Sequence, residues 1–234
     1  MALFPAPEIR LDYEQRYFSL QAQSPFHAKR VLSVVMKKAP SAQSLIKLRA
    51  ALHDIVPIDD AVWVGFEPLL FRREISRSEN VVSQGEVSRL VSFIVSGCFR
   101  FYSLTERGDE AVNGFALEGE LVASMNSLVE GIPSYFSIEA LENADVLQFD
   151  WNQVRDSDYF NRLRETVSQD LFKGLERRQQ EFLTDTPEQR YLSFLNRSAQ
   201  INSRVADRHI ASYLGITPVH LSRIRRKLRK EAAS

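Results

Sequence analysis

Leu214-Gly215-Ile216-Thr217-Pro218 constrains this chain more tightly than any other stretch. An apolar face that ends at Leu214 meets a glycine, where a left-handed turn costs least, and a new helix has to start almost at once. Thr217 is placed to cap that helix through its hydroxyl, and Pro218 takes the first helical position, where no N–H is missed. Beyond it Leu221, Ile224 and Leu228 recur at spacings of three and four, so one face is apolar. Val219, His220, Ser222, Arg223, Arg225, Arg226 and Arg229 point elsewhere. Two short helices joined by a glycine turn, the second polar and basic on its outer face, have the layout of a helix-turn-helix that reads DNA.

Charge bears on that reading. The 234 residues carry 30 Lys and Arg against 30 Asp and Glu, an average that argues against a polyanionic partner. The average conceals an asymmetry: from Pro187 onward ten basic residues stand against three acidic ones, and the rest of the chain balances them. One end is built for an anion and the remainder avoids it.

The chemistry that other functions need is thin. A single cysteine, Cys98, excludes an intrachain disulfide framework and a four-cysteine metal or iron–sulfur site. It reads as a core residue, with redox sensing as the alternative. His27, His53, His209 and His220 show no metal spacing and offer no axial set for haem. His209 reads as a surface or half-buried residue rather than a ligand. No acid, base and nucleophile converge in sequence, so an enzyme is not expected, nor is a metal or cofactor. The first residues lack the basic-then-apolar order of a signal peptide, and no apolar run approaches the roughly 18 residues of a membrane span. The expected location is the cytoplasm.

Residues 1–41 form an N-terminal extension of unclear role, either an arm that adds a packing layer or a partner-docking peptide around Val31–Met36. From Ser44 to Asp54, Leu45, Leu48 and Leu52 follow a helical spacing. From Trp63 to Asp150 the pattern becomes short β segments: Leu69–Arg72, Asn80–Val82, Leu90–Val95, Cys98–Leu104, Ala111–Phe115, Ser134–Ala140 and Asp145–Phe149. Turn signals at this density indicate a β-barrel or roll. Asp156-Ser157-Asp158 then opens a long helix to about Leu183, with Phe160, Leu163, Val167, Leu171, Leu175 and Phe182 in one stripe. Such a stripe is long for one domain to cover, which points to part of it pairing with a second copy; the alternative is a helix lying on its own roll. Thr186, Pro187 and Gln189 match a capping box for the next unit. The expected fold class is α+β: a β-roll sensor domain over residues 42–152, a dimerisation helix over 153–184 and a helix-turn-helix domain over 185–234.

Four stretches carry a resemblance: Ile94–Tyr102, Glu118-Gly119-Glu120-Leu121, Ser137–Glu142 and Ala211–Pro218. With the order of parts, they resemble the cyclic-AMP receptor protein and fumarate–nitrate regulator (Crp/Fnr) superfamily of bacterial transcription factors over residues 42–230. The resemblance implies a dimer reading a near-palindromic site on double-stranded DNA, with RNA polymerase as an open further partner. Cyclic-nucleotide binders of that family use a Gly-Glu pair for the ribose and a following arginine for the cyclic phosphate. Gly119 and Glu120 fit the first half, but the arginine position falls at about Ser134, beside Tyr135, and no arginine lies between Gly108 and Gln153. A phosphate entering a pocket without a cation loses hydration for little return, so cyclic AMP or cyclic GMP is not the expected effector and this pocket reads as degenerate. Glu120 then reads as a structural remnant bonded within its loop.

The recognition helix departs as well. Many relatives carry a glutamate soon after the turn; here Val219 stands in its place, followed by His220. Ser222-Arg223 remains as a reading pair, with Arg223 able to take a guanine bidentately and Val219 able to touch a thymine methyl. Thr217, Arg225, Arg226, Lys227 and Arg229 are expected on phosphates. With the chain ending at Ser234, no wing is expected after this helix. The rival from another class is a protein-interaction or sensor module with vestigial DNA binding.

Overall fold

The computed structural model describes residues 38–231, so most of the N-terminal extension, including Val31–Met36, lies outside the described residues. Ser41 caps α1 (Ala42–Ile55) by accepting from the Ser44 N–H at 3.2 Å, and Leu48 and Leu52 turn inward. A second helix that the sequence reading did not foresee, α2 (Asp60–Phe66), is capped by Asp59 accepting from the Val62 N–H at 2.8 Å. At seven residues it is too short for periodicity to reveal. Leu69, expected in a strand, belongs instead to the 3-10 turn Glu67–Leu69 that follows.

The strands form two four-stranded antiparallel sheets. They are β1 (Phe71–Ile75), β2 (Asn80–Val82), β3 (Leu90–Ser96), β4 (Phe99–Leu104), β5 (Glu110–Ala116), β6 (Leu121–Val122), β7 (Ser137–Ala140) and β8 (Ala144–Asp150). One sheet has the order β1-β8-β3-β6 and the other β2-β7-β4-β5. Two-residue alternation separates two cores. Phe93, Leu147 and Phe149 face α1 and α2, whereas Ile94, Val146, Phe99 and Ile138 fill the interior of the roll. The turn from β3 to β4 requires Gly97: its φ is +119°, and a Cβ there would lie 2.4 Å from that of Ala144. Between β6 and β7 stands a short helix, α3 (Met125–Glu130), which the sequence reading also missed, and only Ser137–Ala140 of the expected Ser134–Ala140 strand is extended pairing.

The long helix α4 (Asp158–Thr184) runs 27 residues, the length its stripe suggests, although Ser157 at its N-cap position makes no side-chain capping bond. Its stripe, however, divides. Phe160 and Leu163 are buried against Phe66, Phe149 and Trp151 of their own roll, and Val167 packs beside them. Phe160, Leu163 and Val167, expected on the dimer helix, are thus not available to a second copy: the aromatic side chains of α2 and β8 pack on this part of the helix. Leu171 and Leu175, further along, are 50 and 65 % exposed.

Thr186 and Gln189 make the expected capping box at the start of α5 (Pro187–Arg204), which is kinked at Ser198. The pair α6 (Asp207–Leu214) and α7 (Pro218–Glu231) follows. Their core holds Tyr191, Phe194, Ile201, Ile210, Leu214, Leu221 and Ile224, and it continues without a break into Cys98, Phe115, Leu117 and Leu141 of the roll. Cys98 is fully buried there, and burial pushes its thiol up to about 12. Among the described residues no helix is long and apolar enough to cross a membrane.

Candidate nucleic-acid interface

The turn between α6 and α7 has the geometry its residues demand. Gly215 takes a left-handed φ of +68°, its N–H reaches Ser212 O at 3.0 Å, and the Ile216 N–H reaches Ala211 O at 3.0 Å. Phe182 of α4 lies beneath it, so close that a Cβ on Gly215 would stand 2.8 Å from the ring. Arg190 fastens the turn from below, donating to Leu214 O at 3.2 Å and to Asp185 O at 2.7 Å. Thr217 then accepts from the His220 N–H at 3.2 Å and caps α7.

With Leu221 and Ile224 buried, the opposite side of α7 is presented to solvent. Val219 is 62 % exposed, and His220, Ser222, Arg223 and Arg226 are exposed with it. Thr217, Val219, His220, Arg223 and Lys227 line one open concavity together with Glu188 of α5. Among the described residues Arg223 and Arg226 make no ion pair, so their guanidinium groups are available to a ligand.

The other cations assigned to phosphate are less available. Arg225 is corrected outright: it points inward, donating to the Tyr191 hydroxyl at 2.9 Å, Asp207 at 2.6 Å and Asn202 at 2.7 Å. Four residues after the buried Leu221 on a helix of 3.6 residues per turn, it borders the buried face. Lys227 pairs with Glu188 at 2.7 Å while remaining exposed, and Arg229 donates to Arg225 O at 3.3 Å.

The degenerate pocket sits on the roll. Gly119 has a φ of +90°, and Glu120 accepts from the Leu117 N–H at 3.3 Å, a bond within its own loop. Ser134 is fully buried; its hydroxyl donates to Phe136 O at 2.7 Å and its N–H to Glu86 O at 3.0 Å. Tyr135 beside it is 40 % exposed. The buried guanidinium of the roll, Arg100, is held elsewhere, between Glu110 at 3.0 Å and Glu139 at 2.8 Å.

A seam of polar contacts between roll and reader was not foreseen. Ser212 of α6 accepts from the Val112 N–H of β5 at 3.0 Å and donates to Glu110 O at 3.3 Å. Arg178 of α4 stacks on Tyr213 with its guanidinium 3.9 Å from the ring centre and donates to Tyr213 O at 3.0 Å. Arg204 at the end of α5 pairs with Glu118 at 2.8 Å and with Glu142. His209, expected at or near the surface, is buried against Arg100. These residues are far apart in sequence, and no local pattern joins them. Among the described residues no cluster of three metal-ligating side chains occurs.

Comparison with known proteins agrees with this architecture. Residues 72–157 match the cyclic nucleotide-binding domain family. The chain is 26 % identical over 194 residues to the transcriptional activator protein FnrA of Stutzerimonas stutzeri, covering 76 % of each. It is 25 % identical over 203 residues to the transcriptional activator protein anr of Pseudomonas aeruginosa, covering 80 % of each. In fold it is similar to FixK2 from Bradyrhizobium japonicum, with a TM-score of 0.59 at 20 % identity over 70 % of this chain and 86 % of that one. The global regulator CLP of Xanthomonas campestris, described as responsive to c-di-GMP, gives a TM-score of 0.59 at 16 % identity over 74 % of this chain and 93 % of that one.

Proposed function

We propose that this chain, whose relatives and fold are those of the Crp/Fnr superfamily, is a dimeric, sequence-specific DNA-binding transcription regulator that works without a cyclic nucleotide. The observation that carries the reading is the outer face of α7, where Arg223 stands exposed and, among the described residues, outside any ion pair, between Val219 and Arg226. Arg223 pairs with a guanine edge, Ser222 meets a base edge or phosphate, and Val219 packs on a thymine methyl. The half-site therefore differs from one read by a glutamate at that place. Two such helices, one from each subunit, enter successive major grooves about 34 Å apart. The exposed Leu171 and Leu175 supply the face on which the subunits meet.

The chemistry of the roll supports independence from cyclic nucleotides. Ser134 occupies the place of the phosphate-binding arginine with its hydroxyl already used, and Arg100 is already paired with two carboxylates. The cytoplasm is the corresponding location, and RNA polymerase is the partner through which a DNA-bound regulator of this kind acts.

Selection of duplexes from a random pool tests the reading. The wild-type chain recovers one near-palindromic motif, and Arg223→Ala loses about 1–3 kcal/mol of preference at one base pair of each half-site. Equal binding of all sequences by both proteins would instead identify an interaction module with vestigial DNA binding. Calorimetric titration with cyclic AMP and cyclic GMP shows no micromolar site if the pocket is degenerate.

A further inference from the structure

The carboxylate of Glu118 faces two parts of the molecule at once. Its Oε1 accepts from the Gly97 N–H at 2.8 Å, in the turn between β3 and β4. Both oxygens also accept from the guanidinium of Arg204, each at 2.8 Å. Arg204 is the last residue of α5, and Glu142 after β7 is its second partner. Glu118 directly precedes Gly119 and Glu120, whose backbone groups bond both sides of Ile94: the Gly119 N–H reaches Ile94 O at 2.9 Å and the Ile94 N–H reaches Glu120 O at 3.0 Å. One side chain thus joins the degenerate effector loop, the roll and the reader.

The place where Arg204 acts matters because α5 is broken. Ser198, at φ −146° and ψ 43°, interrupts the helix, so the segment after it is not oriented by helix continuity. That segment leads straight into α6 and α7, and Arg204 anchors its end. The pair is only partly exposed, and the hydrogen bonds from Arg204 hold the Glu118 carboxyl down to about 2.

We infer that Glu118 and Arg204 are positioning residues for DNA reading, whose ion pair locks the reader on the roll with its reading face outward, and that displacement of the Glu118–Leu121 loop releases it. The inference rests on α7 being a DNA reader. Its sign follows from pre-organisation. The reading face is already exposed in the locked arrangement, so unlocking gains no surface and adds only orientational freedom that binding must remove. A ligand that moves this loop therefore lowers DNA affinity, by a factor in the range of about 5 to 150 usual for coupled sites.

A double-mutant cycle tests it in the full chain with Glu118→Gln, Arg204→Gln and the double variant. In the first of these the side-chain amide oxygen still accepts from the Gly97 N–H, while the charge and one of the two acceptors for Arg204 are removed. One readout is the affinity for the selected duplex; the other, independent of DNA, is hydrogen exchange along Val205–Leu214. Each single variant is expected to bind about tenfold more weakly, the double no more weakly than either, with faster exchange in α6 and unchanged exchange in β3. Multiplicative losses in the double variant, or unchanged exchange in the singles, overturn the coupling alone. A wild-type chain without sequence preference overturns the DNA reading itself and the positioning role with it.

Discussion

Nη1 of Arg100, on β4 of the roll, lies 3.1 Å from Nδ1 of His209 on α6 of the reader. On its other side His209 offers Nε2 to Nε of Arg208 at 3.3 Å. A neutral imidazole has one lone-pair nitrogen, so only one of these contacts is a hydrogen bond. The shorter one assigns the lone pair to Nδ1 and the proton to Nε2. A protonated ring would face two guanidinium groups.

That arrangement makes the docking of reader on roll sensitive to acid. Burial, then the charges of Arg100 and Arg208, push His209 down to about 4, against a smaller opposing effect of Glu110. Unfolded, the ring titrates near 6.5. Above that value both states are neutral and the contact contributes fully. Between about 6.5 and 4 the folded chain binds fewer protons than the unfolded one, so stability falls as pH falls, and the loss saturates below the folded value. Denaturant unfolding of the wild type is expected to lose about 2 kcal/mol between pH 6.5 and pH 5 from this group. His209→Gln keeps an acceptor for Arg100 and removes the titration, so its stability changes by that much less over the same interval. Parallel curves for the two proteins would refute the assignment.

The two halves of α4 respond differently to substitution. Leu175 is exposed and Phe160 is buried against Phe66 and Phe149 of the same subunit. Leu175→Glu is expected to shift the chain from dimer to monomer in analytical ultracentrifugation while leaving thermal unfolding of the subunit nearly unchanged. Phe160→Ala opens a cavity in the roll core and costs about 3–5 kcal/mol of subunit stability. A Leu175→Glu chain that sediments as a dimer would move the subunit contact off this face.

What could be read from the sequence follows the range of the interactions. The caps at Thr186 and Thr217 and the left-handed Gly215 depend on neighbours within a few residues, and the structure has them where the residues ask for them. The stripe of α4 was legible as apolar but not as to its partner. Nothing in Phe160 or Leu175 says whether the covering side chains come from the same subunit. The same holds for the seam. Glu118 and Arg204 are 86 positions apart, and Arg100 and His209 are 109. Each is an ordinary charged or polar residue until the roll closes and brings α5 and α6 against it. Glu118 at least stood inside a recognisable stretch, Glu118–Leu121, although the stretch drew notice for the residues beside it.

Arg225 and Arg226 are consecutive and chemically identical, yet the fold divides their work. Arg225 is fixed to the hydroxyl of Tyr191, to Asn202 and to Asp207, whereas Arg226 is exposed and outside any ion pair among the described residues. Arg225→Ala leaves Tyr191 and Asn202 without a charged partner and is expected to cost about 2–3 kcal/mol of stability. At a temperature where that variant is folded, the salt dependence of its DNA affinity matches the wild type, because no phosphate contact has gone. Arg226→Ala leaves stability within about 0.5 kcal/mol, weakens binding to all duplexes alike and lowers the slope of log affinity against log salt by about one. Measuring both slopes between 50 and 200 mM salt, roughly the range over which counterion release is most readable, separates the two roles. An unchanged slope for Arg226→Ala, or a reduced one for a folded Arg225→Ala, would exchange the assignments and place Arg225 on the duplex after all.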